Sequence, residues 1–159
     1  MKKAWKLLLL AILFTFQNSF YQSNTSIEGK WKIMCISDHE MYYNIKKDSL
    51  WLSDEIMQGL DSTIGVETMK QVYKKLWQGM QNSFLIFGKK GAYQEIEDGE
   101  VAAQGFFLID KKTSKLKLDI VRNKKPVKSE HHFQIKGNEL HLVDDDRDEV
   151  TFIWEKVTK

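Results

Sequence analysis

The sequence predicts a mostly β protein in which about eight strands form a closed antiparallel meander barrel, with a helical insertion after the first strand or strands. Three features point to it. From Ser83 to the C-terminus, apolar and polar residues alternate in short runs separated by Gly, Asn, Pro or charged turns, the two-residue period of half-buried strands. The connections between runs are short enough to force sequential antiparallel pairing. A meander that long in a small protein hides its edges by closing on itself.

The chain opens with Lys2, Lys3 and Lys6, then an apolar stretch from Leu7 to Phe16, then the polar stretch Gln17 to Ser26. A basic segment followed by a short apolar one reads as a secretory signal, placed at residues 1–22, with a single barrel domain over 23–159. Ten residues span about 15 Å as a helix, roughly half a bilayer core, so no transmembrane anchor is expected after signal removal. No Ala-x-Ala marks the cut, and Ser19 and Ser23 are the small residues available for it. The expected address is exported, either periplasmic or secreted.

Gly29 to Ser37 reads as the first strand, with Trp31, Ile33 and Cys35 on one side and Met34 and Ile36 on the other. Apolar residues on both sides call for a covered strand. Tyr42 to Ile45 and Ser49 to Leu52 follow as weaker extended segments joined by a turn at Lys46-Lys47-Asp48. Between about 53 and 82 the period changes to near 3.6. Val66, Met69, Val72, Tyr73, Leu76, Trp77 and Met80 fall on one side of a helix and Glu67, Lys70, Gln71, Lys74, Lys75 and Gln78 on the other. A shorter turn of helix from Ser53 to Leu60 precedes it, with Ser53 as N-cap and Asp54 and Glu55 suited to the first turn. Asp61, Ser62 and Thr63 supply the break and the second cap. The tail then divides into strands at Ser83–Phe87, Ala92–Glu97, Ala102–Asp110, Lys115–Val121, Val127–Lys136, Glu139–Asp144 and Val150–Val157.

Charge and cysteine content narrow the function. The formal charge is +2, but without Lys2, Lys3 and Lys6 the remaining 21 basic and 22 acidic residues leave −1. A near-neutral domain gives no electrostatic case for nucleic acid. The basic pairs Lys46-Lys47, Lys89-Lys90, Lys111-Lys112 and Lys124-Lys125 sit at turns, where they solvate loops and blunt strand edges. Cys35 is the sole cysteine, so no internal disulfide forms, and its apolar surroundings suit a small buried hydrophobe.

Gly29-Lys30-Trp31 carries the Gly-x-Trp element with which lipocalin and other calycin barrels begin, and the order of elements resembles the lipocalin-like proteins that bacteria export. The resemblance implies that Trp31 plugs one end of the barrel and that a basic residue near the end of the last strand, here Lys156, packs across its face. Gly29, Trp31 and Lys156 are thus implied to be structural. The chain departs from the family by lacking a Thr-Asp-Tyr type turn and by placing its helix early, where it is able to cover a barrel mouth.

Alternation along Val127 to Lys136 turns Val127, Ser129, His131, Phe133 and Ile135 inward and leaves His132 outside. Ser129 and His131 among apolar neighbours suit the polar head of a ligand, or else bond backbone or one another. Tyr73 and Trp77, with Met69 and Met80, either line a portal or are core contact. His141 is expected to face solvent. The adjacent His131 and His132 point to opposite faces and cannot share a metal, and the acidic run Asp144 to Glu149 lacks the glycine of a calcium loop. No metal or cofactor is expected. No nucleophile motif or phosphate loop is present, and the chain is not expected to be an enzyme. The leading expectation is a monomer holding a small apolar or amphipathic molecule in the barrel interior, with Ser129, His131, Phe133, Tyr73 and Trp77 around it. The alternative is a protein- or glycan-binding module whose barrel is filled by its own side chains. A third reading is a small α+β cone with a pocket between helix and curved sheet.

Overall fold

The computed structural model describes residues 26–59, 65–144 and 149–158. The expected signal segment, the Asp61 to Thr63 cap and most of the acidic run lie outside the described residues. Ten strands form one sheet: β1 (Gly29–Ser37), β2 (Met41–Asn44), β3 (Ser49–Leu52), β4 (Phe84–Phe87), β5 (Ala92–Glu97), β6 (Glu100–Asp110), β7 (Lys115–Arg122), β8 (Lys125–Lys136), β9 (Glu139–Asp144) and β10 (Val150–Lys156). Strands β4 to β10 pair in sequence, and β1 pairs with both β4 and β10, so eight strands close into an antiparallel barrel. The tight turns do this work. Asp98-Gly99 and Asn123-Lys124 have positive φ at both central positions, the geometry of two-residue hairpins that match strand twist.

One edge of β1 serves two neighbours. Residues Gly29 to Lys32 pair with β4, and Cys35 to Ser37 pair with β2, which continues into β3 as a hairpin appended to the barrel. The switch falls at a bulge. Ile33 lies opposite Trp154, but Cys35 lies opposite Ile153 and Ile36 opposite Phe152. Skipping one residue reverses the phase, so Ile36 joins Trp31 and Ile33 in the core and Cys35 turns to the outside, where it is nonetheless buried. The strict alternation expected for this strand therefore fails beyond Ile33.

Helix α1 (Asp54–Gly59) is capped as expected, with the Ile56 amide donating to Ser53 Oγ at 3.3 Å. Helix α2 (Val66–Gln78) instead has Gly65 at its N-cap and no side-chain cap. Its covered face is narrower than its apolar face. Met69, Tyr73, Trp77 and Met80 pack half-buried on the core, whereas Val72 and Leu76 are 56% and 64% exposed. Lys74 ties the helix to Asp48 at 2.9 Å. The core is a single cluster that runs from Trp31 and Phe87 through Leu116, Ile120 and Leu140 to Trp154 and extends to Met41, Tyr43 and Leu52 of the appended hairpin. β6 reaches it across a close approach: a Cβ on Gly105 would land on the Asp119 carbonyl oxygen and 2.7 Å from Ile120 Cα of β7.

Candidate ligand-binding cleft at a barrel mouth

At the end of the barrel where β1 begins, the segment Ser26 to Glu28 lies against Trp31. The Trp31 indole N–H donates to the Ile27 carbonyl at 2.7 Å, and Lys156 Nζ sits 5.1 Å from the indole centroid while donating to the Ser26 carbonyl at 3.2 Å. A cation over an indole face is held by the ring quadrupole. Gly29, at φ 136°, makes room for it, since a Cβ there would meet Lys156 Cε at 3.0 Å. The three residues that the Gly-x-Trp element brought forward therefore form one contact.

Beside this assembly opens a cleft of about 970 Å³. Its apolar wall is Phe107 and Ile109 of β6 and Phe133 and Ile135 of β8, inward-facing side chains that stay half-buried where their neighbours Leu116 and Leu140 are fully covered. Lys111, Ser114 and Lys136 give it polar groups, and Ile27 forms part of its border. Both faces of β8 contribute, through Phe133 and Ile135 on one side and His132 and Gln134 on the other, so the cleft wraps the rim instead of lying wholly inside.

Of the five residues expected around a ligand, Phe133 lines this cleft and the other four do not. Ser129 and His131 do face inward, half-buried, with His131 Nε2 and Ser129 Oγ 3.0 Å apart. They bond one another, the second of the two roles alternation allowed. Val127, expected inside, is exposed, because β8 pairs with β9 only from His132 onward and its first residues overrun the rim. Tyr73 and Trp77 pack on the core from α2. His141 is not solvent-facing as expected: its side chain is 17% exposed, with Nε2 3.0 Å from Glu139 Oε2.

Alternation did not reveal the inward charges. Glu95 of β5 shares a cross-strand row with Ala103 of β6 and Arg122 of β7. Arg122 bonds Glu95 and, at 3.3 Å, Glu97, while the buried Tyr93 hydroxyl donates to Glu95 at 3.3 Å. Burial pushes the Glu95 carboxyl above its ordinary range, against the pull of Arg122. The native state then takes up a proton more readily than the unfolded chain, so stability falls as pH rises through the window between the two values. Glu95→Gln is expected to stabilise the protein at pH 7 and to leave it unchanged below pH 4. Arg122→Ala is expected to cost about 1–2 kcal/mol at pH 7 by stranding a half-buried carboxylate, and less near pH 4, where Glu95 accepts a proton. Urea titrations of both variants at pH 4 and pH 7 check this, and a penalty independent of pH would refute it.

On the outer face Cys35 Sγ lies 3.0 Å from the Tyr42 hydroxyl, and burial raises its thiol pKa, opposite to what a reactive thiolate requires. Among the described residues no group of three or more His, Cys, Asp or Glu is placed to hold a metal ion, and no helix is long and apolar enough to cross a membrane.

No family model matches the chain, and no curated protein matches it. Among solved structures it is similar to a DUF4847 family protein from Bacteroides vulgatus ATCC 8482, with a TM-score of 0.52 and 12% identity, over 86% of this chain and 97% of that one. At that identity the likeness is one of fold.

Proposed function

We propose that the chain is an exported, lipocalin-like binding protein that takes a small apolar or amphipathic molecule into the cleft beside Trp31, without turnover. One observation carries this: four inward-facing apolar side chains, Phe107, Ile109, Phe133 and Ile135, remain half-buried around a space of about 970 Å³. Ligand pockets of about 300–1,000 Å³ lined by apolar groups with a few polar ones are the common pattern for small molecules. Lys111, Ser114 and Lys136 suit the polar head of an amphiphile. Since Ser129 and His131 are engaged with each other, the ligand's main contact among the expected residues is Phe133.

Native mass spectrometry of protein purified from its host, with titration by a fluorescent fatty acid, tests the proposal. A retained small molecule or saturable probe binding is expected, and Phe133→Asp should weaken the probe at least tenfold. Ile135→Trp, which fills the cleft without adding charge, should do the same with the fold intact by circular dichroism. Protein that carries nothing and binds no probe, or variants that bind it as the parent does, would overturn it. A second reading, a protein- or glycan-binding module, is favoured by the burial of Trp31, Phe87, Tyr93 and Trp154 in the barrel, since small barrels fill with their own side chains.

A further inference from the structure

The appended hairpin leaves the sheet with an open edge. β3 is the end strand and pairs with β2 alone. The Ser53 amide donates to the Glu40 carbonyl at 2.8 Å, and in the same register Tyr42 and Trp51 are a hydrogen-bonded pair whose backbone groups face one another. The N–H and C=O of Leu50 and Leu52 therefore point the other way, to the free edge, and no backbone group among the described residues bonds them there. Edge strands are usually blunted by Pro or charge, as the overrunning start of β8 is by Lys125, Pro126, Lys128 and Glu130. Ser49-Leu50-Trp51-Leu52 carries neither.

The edge and its flanks are complementary to themselves. Trp51 is 57% exposed on the outer face, directly opposite the half-exposed Tyr42. Lys46 and Lys47 precede the strand and Asp54 and Glu55 follow it, all four exposed. When a second copy of β3 is laid antiparallel about Trp51, Leu50 of each copy falls opposite Leu52 of the other, and the free N–H and C=O groups of both are satisfied. The two indoles meet at the dyad as a non-hydrogen-bonded pair, about 4.5 Å apart at Cα and on one face, where each covers the other's ring. The same register brings the basic turn of each copy to the acidic start of α1 of the other. Lys46 is already engaged with Glu155 of its own chain at 3.2 Å, which leaves Lys47 to meet Glu55. Asp48 falls toward Asp54 of the second copy, but Lys74 at 2.9 Å and Tyr43 at 3.1 Å hold it to its own chain.

We propose that the chain forms a two-fold dimer through β3, joining the hairpins of two barrels into one continuous sheet, in place of the monomer expected from the sequence. Strand addition at an exposed edge draws its affinity from main-chain hydrogen bonds, and an isologous pairing satisfies both copies with the same patch. Charge selects the partner, because a second copy of this segment sets basic against acidic at each end and an arbitrary extended peptide does not. The contact belongs to the small, weak class of interfaces. No residue of β2 or β3 lines the cleft beside Trp31, so dimerisation and ligand binding are tested separately.

The test is sedimentation equilibrium of the full chain, in whatever processed form its host yields, from about 5 to about 500 µM, the range in which small interfaces associate. The parent should pass from monomer to dimer as concentration rises. Trp51→Lys, which sets like charges together at the dyad, should weaken the dimer about tenfold or more, with circular dichroism unchanged. Lys47→Glu and Glu55→Lys should each weaken it about fivefold, and the two together should restore it to within about twofold of the parent. Lys47 and Glu55 lie at opposite ends of β3, so such a rescue reports a contact between copies. Under mild oxidation Trp51→Cys should cross-link to itself, since a Cα spacing of about 4.5 Å suits a disulfide. Ser49→Cys, which meets Ser53 and not itself, should not, and neither should the parent, whose Cys35 is buried. A parent that stays monomeric, a dimer indifferent to Trp51→Lys, a double variant that fails to recover, or cross-linking through Ser49→Cys instead of Trp51→Cys would overturn the proposal. A monomeric parent that binds an immobilised glycan, and loses it with Trp51→Lys, would assign the exposed aromatics to sugar and equally refute it.

Discussion

Gly105→Ala is expected to lower the stability of the fold by about 3 kcal/mol, as large as overpacking penalties usually become. A Cβ at this position meets backbone, the Asp119 carbonyl oxygen and Ile120 Cα, and neither can rotate away as a side chain would. Relief requires β6 and β7 to separate where Tyr93, Gly105 and Ile120 form one cross-strand row, beside the Glu95 and Arg122 row. Gly105→Val should be worse, since a branched side chain adds bulk to the same clash. Urea unfolding of the parent and both variants measures this. A midpoint for Gly105→Ala within error of the parent would mean that β6 follows a different path.

Trp31→Ala should be the second large loss, about 4 kcal/mol, within the range for deleting a buried aromatic ring. Trp31 is fully buried, donates to Ile27 and lies under the Lys156 cation. Its loss opens a void and releases the segment Ser26 to Glu28 that borders the cleft. Lys156→Met keeps much of the stem packing and removes only the charge, so it should cost about 1 kcal/mol. A domain of ordinary stability has about 5–15 kcal/mol in all, so the tryptophan variant should sit close to unfolding at 37 °C. Thermal melts of both variants decide the matter, and equal losses would show that the ring contributes no more than the cation above it.

The barrel was legible because its turns are. Short polar connections leave antiparallel neighbours no choice of partner, and every strand from Phe84 to Lys156 falls where alternation puts it, to within a few residues at the ends. The extra residue at Met34 was not legible, because a bulge depends on the exchange of β4 for β2 along β1 and leaves no local mark. Helix α2 misled in a different way. Its apolar residues include Val72 and Leu76 on the expected face, yet only Met69, Tyr73, Trp77 and Met80 are packed against the core. For the site, period two correctly turned Ser129, His131 and Phe133 inward, and it could not say how far along the axis each would lie. That distance decides which of them reaches the cleft. Glu95 and Arg122 lay in view as charged residues on strands, yet only the three-dimensional register shows that they face the same space.

The pairing of Trp31 with Lys156 joins residues near opposite limits of the described chain. Contacts so distant in sequence form late, because the closing loop must first give up its freedom. During synthesis β1 emerges well before its β10 partner, so one flank of the nascent sheet stays unpaired until β10 is made. Closure of the barrel therefore waits on β10, and deleting that strand removes the latch between the meander and β1.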